Sequence, residues 1–230
     1  MSEQPELFGK KHAAQFHEYW TRLAPMKAAL NMFAAIVLRD LPDDAHVLVV
    51  GAGTGEELLD LADRFAGWRF TAVDPAGAML DICRSRAHER GLDARCTFHE
   101  GFVADLPGAP QFHAATSFLV SHFVTDREAR RRFFADIAER LHPGGMLVSA
   151  DIAGEWGSAE LQPLLEQWWN MMRFAGFPEE GVQQRKSRLG DTVCVLAPDE
   201  VAAVIEAAGF GPATHFYQAL MVHAWFATRP

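Results

Sequence analysis

Short apolar runs alternate with helical periodicities through the middle of the chain. The apolar runs predict five strands, at residues 46–50, 69–73, 94–99, 112–119 and 146–151. Apolar positions at helical spacing predict helices between these strands, at 56–65, 76–90 and 125–141. Because strands that alternate with helices pair in parallel, this order predicts an α/β fold with helices on both faces of one sheet.

The beginning of the chain and the stretch after residue 152 depart from this alternation. Residues 10–40 predict two helices broken at Pro25, and residues 156–190 contain no predicted strand. A further helix and two closing strands follow, predicted at 198–208, 213–218 and 220–228.

No stretch is rich enough in glycine, proline and serine to act as a linker, so we expect a single domain over residues 1–230. Its expected parts are an N-terminal helical cap, a central core, a helical insertion and a closing helix with strands, at 1–40, 41–152, 153–197 and 198–230.

The helix predicted at 125–141 carries two local signals. Thr125 and Glu128 have the spacing of a capping box at its start. The run from Arg127 to Arg132 predicts a solvated basic face. Residues 142–145 (HPGG) predict a turn before the next strand.

A glycine-rich turn follows the first strand. Gly51, Gly53 and Gly55 give the pattern G-x-G-x-G, which lets a backbone turn sharply and lets a ligand approach it closely. A phosphate-binding P-loop needs a lysine after the glycines, and a dinucleotide fingerprint needs a glycine where Glu56 stands. Because Glu56 and Glu57 would repel a pyrophosphate, the pattern favours a ligand without phosphate. The alternative is a tight turn in which Thr54 and Glu57 form a capping box.

Asp74 is the second candidate for binding. It ends the second strand, 19 positions after Gly55. An acidic residue at this place accepts hydrogen bonds from ribose hydroxyls. The alternative is a helix N-cap before Ala76, and the two roles are compatible.

Three segments together resemble the class I S-adenosylmethionine-dependent methyltransferases. They are VLVVGAGTG, VDPAGAML and LHPGGMLV, at residues 47–55, 73–80 and 141–148. The resemblance covers residues 46–151 and implies a Rossmann-like seven-stranded sheet, mostly parallel with the last strand antiparallel, and helical additions outside it. It also implies S-adenosylmethionine, or its product S-adenosylhomocysteine, bound to the core at 41–152.

The resemblance also implies which residues hold this cofactor. Gly51, Ala52, Gly53 and Gly55 would pass under its methionine and ribose, and Asp74 would hold the ribose. The adenine would lie between two further groups: Pro75 and Met79 on one side, and Gly101, Phe102 and Val103 on the other.

Two positions depart from the pattern of the family. Val49 stands where these enzymes usually have an acidic residue, and Phe102 stands where an aspartate often pairs with the adenine amino group. Phe102 is expected to cover the adenine face instead. Ser117 and Phe118 end the fourth strand. Each of them either contacts the cofactor or packs in the core.

A narrower resemblance covers more of the chain. Residues 16–25 and 182–189, with the layout after the fifth strand, are similar to the carboxy-S-adenosylmethionine synthases of tRNA wobble-uridine modification. In that family an arginine grips a carboxylate on the cofactor, and the pair reads Lys-Arg where this chain has Arg185 and Lys186. Because a lysine cannot form the same two-pronged contact, the resemblance favours shared architecture over shared reaction.

Four residues are candidates for binding an acceptor. His122 lies just past the fourth strand, where it is either a general base or a half-buried structural histidine. Arg185 and Lys186, with Arg22, either receive an anionic substrate or form solvated faces. The aromatic residues around Trp168 and Trp169 form either an apolar substrate pocket or, as we expect, a packed helix face or a homodimer contact.

Composition limits the possible partners. The chain has 30 acidic and 21 basic residues, for a net charge of −9, which disfavours nucleic acid. Its three cysteines are widely separated, and no metal-ligand spacing occurs, so we expect free thiols, no metal and a cytoplasmic location without a membrane span.

The sequence therefore predicts a methyltransferase that acts on an unidentified small-molecule acceptor. No dedicated catalytic residue is expected, since holding the reactants in line supplies most of the rate of methyl transfer. The alternatives are a carboxy-S-adenosylmethionine synthase-like transferase and a non-catalytic cofactor- or partner-binding protein of the same fold.

Overall fold

The computed structural model describes residues 22–107 and 112–230. The helices in these ranges are α1 (Ala24–Leu38), α2 (Glu56–Arg64), α3 (Gly77–Glu89), α4 (Arg127–Arg140), α5 (Leu161–Phe174), α6 (Glu179–Arg188) and α7 (Pro198–Ala207). The strands are β1 (His46–Val50), β2 (Arg69–Asp74), β3 (Cys96–Glu100), β4 (Phe112–Phe118), β5 (Leu141–Ile152), β6 (Thr214–Ala219) and β7 (Val222–Thr228).

The strands form one seven-stranded sheet in the order β3-β2-β1-β4-β5-β7-β6. Strands β1 to β5 pair in parallel, and β7 runs antiparallel to both β5 and β6. The predicted fold class is therefore confirmed. Val50 lies between Val73 of β2 and Ser117 of β4, so the carboxyl ends of these three strands meet at one edge of the sheet.

Apolar side chains cover both faces of the sheet. On one face, Leu38 of α1 and Leu58 of α2 are fully buried in the same cluster as alternate residues of β1. On the other face, Phe134 of α4 and Val201 of α7 are fully buried against the intervening residues. This two-sided burial explains why β1 is apolar throughout rather than alternating.

A third apolar cluster joins the start of the described chain to the helical insertion. Leu23, just before α1, is buried together with Trp168 and Met172 of α5. Leu119, at the carboxyl end of β4, packs against the same cluster. Trp168 and Trp169 are thus part of a packed helix face rather than an open pocket.

Two local predictions were wrong. The N-cap of α4 is Asp126, whose carboxylate accepts a hydrogen bond from the Ala129 backbone N–H at 2.8 Å, so the helix begins after Asp126 and Thr125 caps nothing. The predicted turn at 142–145 belongs to β5, where the pairing with β4 shifts register after Phe112. The predicted break at Pro25 agrees with the structure: α1 begins at Ala24, and Pro25 fits its first turn without losing a hydrogen bond. The helix predicted before Pro25 lies mainly outside the described residues.

The sequence predicted a solvated basic face for the run of arginines in α4, but the structure shows that one of them is buried. Arg127 and Arg131 pair with Glu200 and Glu128 in exposed ion pairs, but Arg130 has no exposed surface. The helix turns the Arg130 side chain toward the sheet, where it meets an acidic residue of β5.

Candidate functional site

The glycine turn is held against the end of β2. The backbone N–H groups of Gly51 and Ala52 both donate to the Val73 carbonyl, at 2.8 and 3.1 Å. Gly55 is the N-cap of α2 with a φ of 83°, a conformation that favours glycine. Because no side chain caps this helix, the alternative of a capping box between Thr54 and Glu57 is wrong.

Asp74 connects the glycine turn to the loop after β2. One carboxylate oxygen accepts from the Gly53 N–H and the other from the Ala76 N–H, both at 2.8 Å. Burial raises the pKa of Asp74, although these two hydrogen bonds oppose the shift. The N-cap of α3 is Ala76 and not Asp74, so the carboxylate orders two loops rather than capping the helix.

The three glycines of the turn have different surroundings. A Cβ atom at Gly51 would overlap the side chain of Val120, and one at Gly55 would lie 2.5 Å from Cys83 Sγ. At Gly53, the nearest side-chain atom would be the methyl carbon of Met79, at 3.7 Å. Gly51 and Gly55 therefore permit close packing, whereas Gly53 leaves space above the turn.

The predicted adenine-side residues lie beside Asp74. Gly101 donates its N–H to the Asp74 carbonyl at 3.1 Å, which places the loop after β3 next to the end of β2. The Phe102 side chain is 45% exposed, so much of its ring is accessible beside Asp74. Pro75 is also exposed, while the side chains of Met79 and Val103 are buried.

Ser117 and Phe118 have separate surroundings at the end of β4. Ser117 is fully buried, and its hydroxyl has no hydrogen-bond partner among the described residues. Phe118 packs against the apolar clusters on the α1 side of the sheet.

A buried polar cluster lies at the carboxyl ends of β4 and β5. Asp151 has no exposed surface, and one of its oxygens accepts from both the backbone N–H and the Nδ1 of His122, at 3.0 and 2.5 Å. The other oxygen accepts from the Ser121 hydroxyl and from Arg130 Nη2, the latter at 2.8 Å. Arg130 Nε also donates to the Ser121 hydroxyl at 2.8 Å.

The Asp151 carboxylate selects which nitrogen of the His122 ring carries a proton when the ring is neutral. Burial alone raises the pKa of Asp151, but Arg130, His122 and the hydrogen bonds outweigh it and lower the value to about 2. An ionised Asp151 requires a proton on His122 Nδ1, which leaves the Nε2 lone pair available when the ring is neutral. Nε2 has no hydrogen-bond partner in the described part of the chain.

His122 is also close to the glycine turn and to the insertion. Val120, two residues earlier, contacts Gly51, and the His122 carbonyl accepts from the Cys194 N–H at 2.8 Å. Sequence reasoning found His122 but missed Val120, Arg130 and Asp151. Only Asp151 had a signal, as an acidic residue that ends a buried strand.

A second buried carboxyl lies on the opposite face of the sheet. Glu57, in the first turn of α2, is 9% exposed and accepts from the Thr116 hydroxyl at 2.7 Å. Burial raises the pKa of Glu57 to about 8, against the lowering effects of Thr116 and Lys27. Lys27 itself forms its ion pair with Glu56, at 2.5 Å.

The predicted basic acceptor residues contact parts of the insertion. Arg22 donates to the Ala175 carbonyl at 3.2 Å, just after α5. Arg185 donates to the Gly181 carbonyl and lies over the Phe177 ring, 4.5 Å from its centroid. Lys186 lies 5.7 Å from the centroid of Trp169. All three cations therefore order the insertion locally.

Within residues 22–107 and 112–230, no helix is both long and apolar enough to cross a bilayer. The same ranges contain no group of three or more histidine, cysteine or acidic side chains placed to hold a metal ion.

The methyltransferase domain family matches residues 47–145, from β1 into β5. The carboxy-S-adenosyl-L-methionine synthase of Chromohalobacter salexigens is 27% identical over 219 residues, which are 93% of this chain and 79% of that protein. The family model, which covers less than half of the chain, and this relative together support a class I S-adenosylmethionine-dependent methyltransferase.

Solved structures agree with the fold of this methyltransferase. An O-methyltransferase family 2 protein from Planctomyces limnophilus has a TM-score of 0.64 at 18% identity and covers 96% of this chain. The chain spans only 62% of that longer protein. An S-adenosylmethionine-dependent methyltransferase from Methanosarcina mazei has a TM-score of 0.61 at 18% identity, over 84% of this chain and 96% of its own length.

S-adenosylmethionine is the cofactor of this family, and the glycine turn of the methyltransferase suits it. The turn has an open side at Gly53, a buried carboxylate at Asp74 and an exposed aromatic ring at Phe102. Residues 51–55 contain no basic side chain, although Arg86 of α3 donates to the Thr54 carbonyl at 2.7 Å, and Glu56 and Glu57 begin the adjoining helix.

Proposed function

We propose that the methyltransferase transfers a methyl group to a small-molecule acceptor whose nucleophilic atom gives its proton to His122. The pairing of His122 Nδ1 with the buried Asp151 carries this proposal. It leaves Nε2 without a partner in the described residues, at the edge of the sheet where β1, β2 and β4 end.

The cofactor residues of this proposal are those expected from the sequence. Asp74 would hold the ribose while the Gly53 and Ala76 N–H groups keep its carboxylate in place. Phe102 would cover the adenine, since its ring is exposed beside Asp74. The remaining contacts would come from the glycine turn, the loops after β2 and β3, and the end of β4, at Gly51, Ala52, Gly55, Pro75, Met79, Gly101, Val103, Ser117 and Phe118.

Acceptor binding would involve the cap and the insertion. Leu23 is buried against α5, and Cys194 is hydrogen-bonded to His122, so both additions lie near the proposed base. Arg22, Arg185 and Lys186 are the cations of these additions that we propose for an anionic acceptor. Their present contacts would keep the long side chains ordered before the acceptor arrives.

The protein would contribute two things to methyl transfer, namely a base for the acceptor's proton and the orientation of the reactants. S-adenosylmethionine supplies an activated methyl group on a sulfonium. His122 Nε2 would take the acceptor's proton, while the ionised Asp151 stabilises the resulting positive ring. Arg130 keeps Asp151 ionised, and the glycine turn would hold the cofactor in place. Such orientation of the reactants contributes about 7–11 kcal/mol to the lowering of the barrier.

Carboxy-S-adenosylmethionine synthesis is the second candidate. The similarity to the synthase of Chromohalobacter salexigens along 93% of the chain favours it. Arg185 and Lys186 would then lie near the carboxylate of the modified cofactor. A lysine at the gripping position gives a weaker, single-pronged contact, which favours methyl transfer instead.

Mass spectrometry separates these candidates. The purified protein is incubated with S-adenosylmethionine and, in parallel, with panels of small phenols, amines, carboxylic acids and carboxyl donors. Methyl transfer predicts S-adenosylhomocysteine together with a methylated acceptor. A carboxylated cofactor without S-adenosylhomocysteine would establish the second candidate, and cofactor binding without either product would indicate a non-catalytic protein.

The setting of the reaction is also part of the proposal. We infer a cytoplasmic protein without a metal, acting on a small molecule rather than on nucleic acid, given its net charge of −9. A homodimer is compatible with Phe174, which is 86% exposed at the end of α5.

A further inference from the structure

Within residues 22–107 and 112–230, the buried carboxyl of Glu57 forms no ion pair with a basic side chain. Its relative exposure is 9%, and its one hydrogen bond in the described residues comes from the Thr116 hydroxyl. A buried carboxylate normally pairs with a cation or with several donors, because losing its hydration is costly. Lys27 lowers the pKa of Glu57 from a distance, but it forms its ion pair with Glu56.

The register of the sheet places this carboxyl under the glycine turn. Thr116 of β4 lies directly beside Val49 of β1, two residues before Gly51. Glu57 follows Gly55 by two residues, in the first turn of α2. The carboxyl is therefore enclosed by the two strands and the helix that shape the proposed cofactor site.

The face of the sheet decides which part of the cofactor it would meet. Thr116 and Glu57 lie on the side of α2, whereas Asp151 and His122 lie on the side of α4. The reacting sulfonium must approach the acceptor near His122. The cofactor's other cation, the α-ammonium of its amino-acid end, is then directed toward Glu57.

We infer that Glu57 is the binding residue for the α-ammonium group of the cofactor. This inference rests on the proposed function, because it requires the cofactor in the glycine turn. The Glu57 carboxyl is mostly protonated in the free protein at neutral pH, since its pKa is raised to about 8. The arriving ammonium stabilises the carboxylate, so the proton leaves to the buffer as the cofactor binds.

Other charged groups near Glu57 do not account for the proton release that we expect on cofactor binding. Lys27 of α1 and Glu56 of α2 act on Glu57 with opposite signs. Cys83 of α3 lies within electrostatic range of Glu57, Asp74 and Arg86, and Arg86 donates to the Thr54 carbonyl at 2.7 Å. Cys83 has a pKa raised to about 12 by burial, so it stays neutral through the neutral range.

Calorimetry in buffers of different ionisation enthalpy tests the inference through the number of protons released. Near pH 6.5 we expect close to one proton to be released for each S-adenosylhomocysteine molecule bound. This ligand is chosen because it keeps the α-ammonium group but lacks the sulfonium charge. 5′-Methylthioadenosine, which lacks the amino-acid end, is expected to release none. In Glu57→Gln the release disappears, and S-adenosylhomocysteine binds at least tenfold more weakly while 5′-methylthioadenosine binds as before.

Matched variants make the failures distinguishable. Asp60→Asn replaces an acid by an amide on the same helix, where Asp60 pairs with Arg64, and is expected to bind and release as the wild type does. Unchanged affinity and proton release in a folded Glu57→Gln would overturn the inference, and loss of binding in Asp74→Ala would then still support the proposed function. A wild-type protein that binds none of these ligands would overturn both.

Discussion

Arg130 Nη2 lies 2.8 Å from Asp151 Oδ2, and neither side chain is more than 1% exposed. The pair joins α4 to the end of β5, and the same Asp151 carboxylate accepts a hydrogen bond from His122 Nδ1. Arg130, a residue type usually found at the surface, is buried here and holds the carboxylate that orients the proposed catalytic histidine, His122. This relationship leads to the first two predictions.

Removing the arginine should destabilise the protein strongly. Arg130→Met leaves Asp151 as a buried charge without its cation, which typically costs about 3–5 kcal/mol of the free energy of unfolding. Urea denaturation followed by circular dichroism measures it. Arg132→Met, on the exposed side of the same helix, is the control and should change stability by less than about 0.5 kcal/mol. Equal losses in the two variants would show that burial of Arg130 is not what matters.

Removing the imidazole should slow the reaction without weakening cofactor binding. His122→Asn keeps a polar side chain of similar size but no group that takes a proton near neutral pH. Turnover of an acceptor found by the mass-spectrometric screen should fall about 10²- to 10⁴-fold, the usual contribution of a general base. The dissociation constant of S-adenosylhomocysteine should stay the same. His88→Asn, at an exposed position of α3, is the control. Wild-type turnover in His122→Asn would return His122 to a structural role.

The same residues show where sequence reasoning succeeded and where it ended. The parallel core could be predicted because β1 is apolar on both faces and is followed by glycines that the turn requires. Arg130 could not, because helical periodicity treats an arginine as solvated and its partner Asp151 lies 21 positions away. Val120 gave no signal either, since its contact with Gly51 exists only when β4 lies beside β1.

The environment of Glu57 could not be predicted from the sequence either. Its place after the glycines suggested a helix cap, but the turn of α2 directs the side chain toward Thr116 instead. The hydrogen bond depends on the pairing of β1 with β4, which no local pattern in the sequence contains.

The raised pKa of Glu57 predicts a pH-dependent stability difference. In the unfolded chain this carboxyl has its ordinary pKa of 4.5, and burial in the folded protein raises it to about 8. Between these values the folded state holds a proton that the unfolded state has lost, so this group lowers stability as the pH rises. Glu57→Gln has no such proton and should gain stability over the wild type, by a few kcal/mol between about pH 5 and about pH 8.

Thermal unfolding of both proteins across this pH range measures the effect. The difference in Tm should widen steadily toward pH 8. With Asp60→Asn, whose parent carboxylate is paired with Arg64 near the surface, the difference should stay nearly constant. A constant difference for Glu57→Gln would mean that Glu57 titrates like an exposed carboxyl.

The account depends most on the cofactor lying over the glycine turn, and one calorimetric titration tests that directly. S-adenosylhomocysteine is titrated into the wild type, into Gly53→Val and into Gly91→Val. Gly53 and Gly91 have φ angles of 54° and 70°, so both variants carry similar backbone strain, and neither glycine has a close neighbour where the side chain would begin. We predict micromolar binding by the wild type and by folded Gly91→Val, and no measurable binding by folded Gly53→Val, because its side chain fills the space above the turn. Wild-type affinity in folded Gly53→Val would contradict the account and place the cofactor elsewhere.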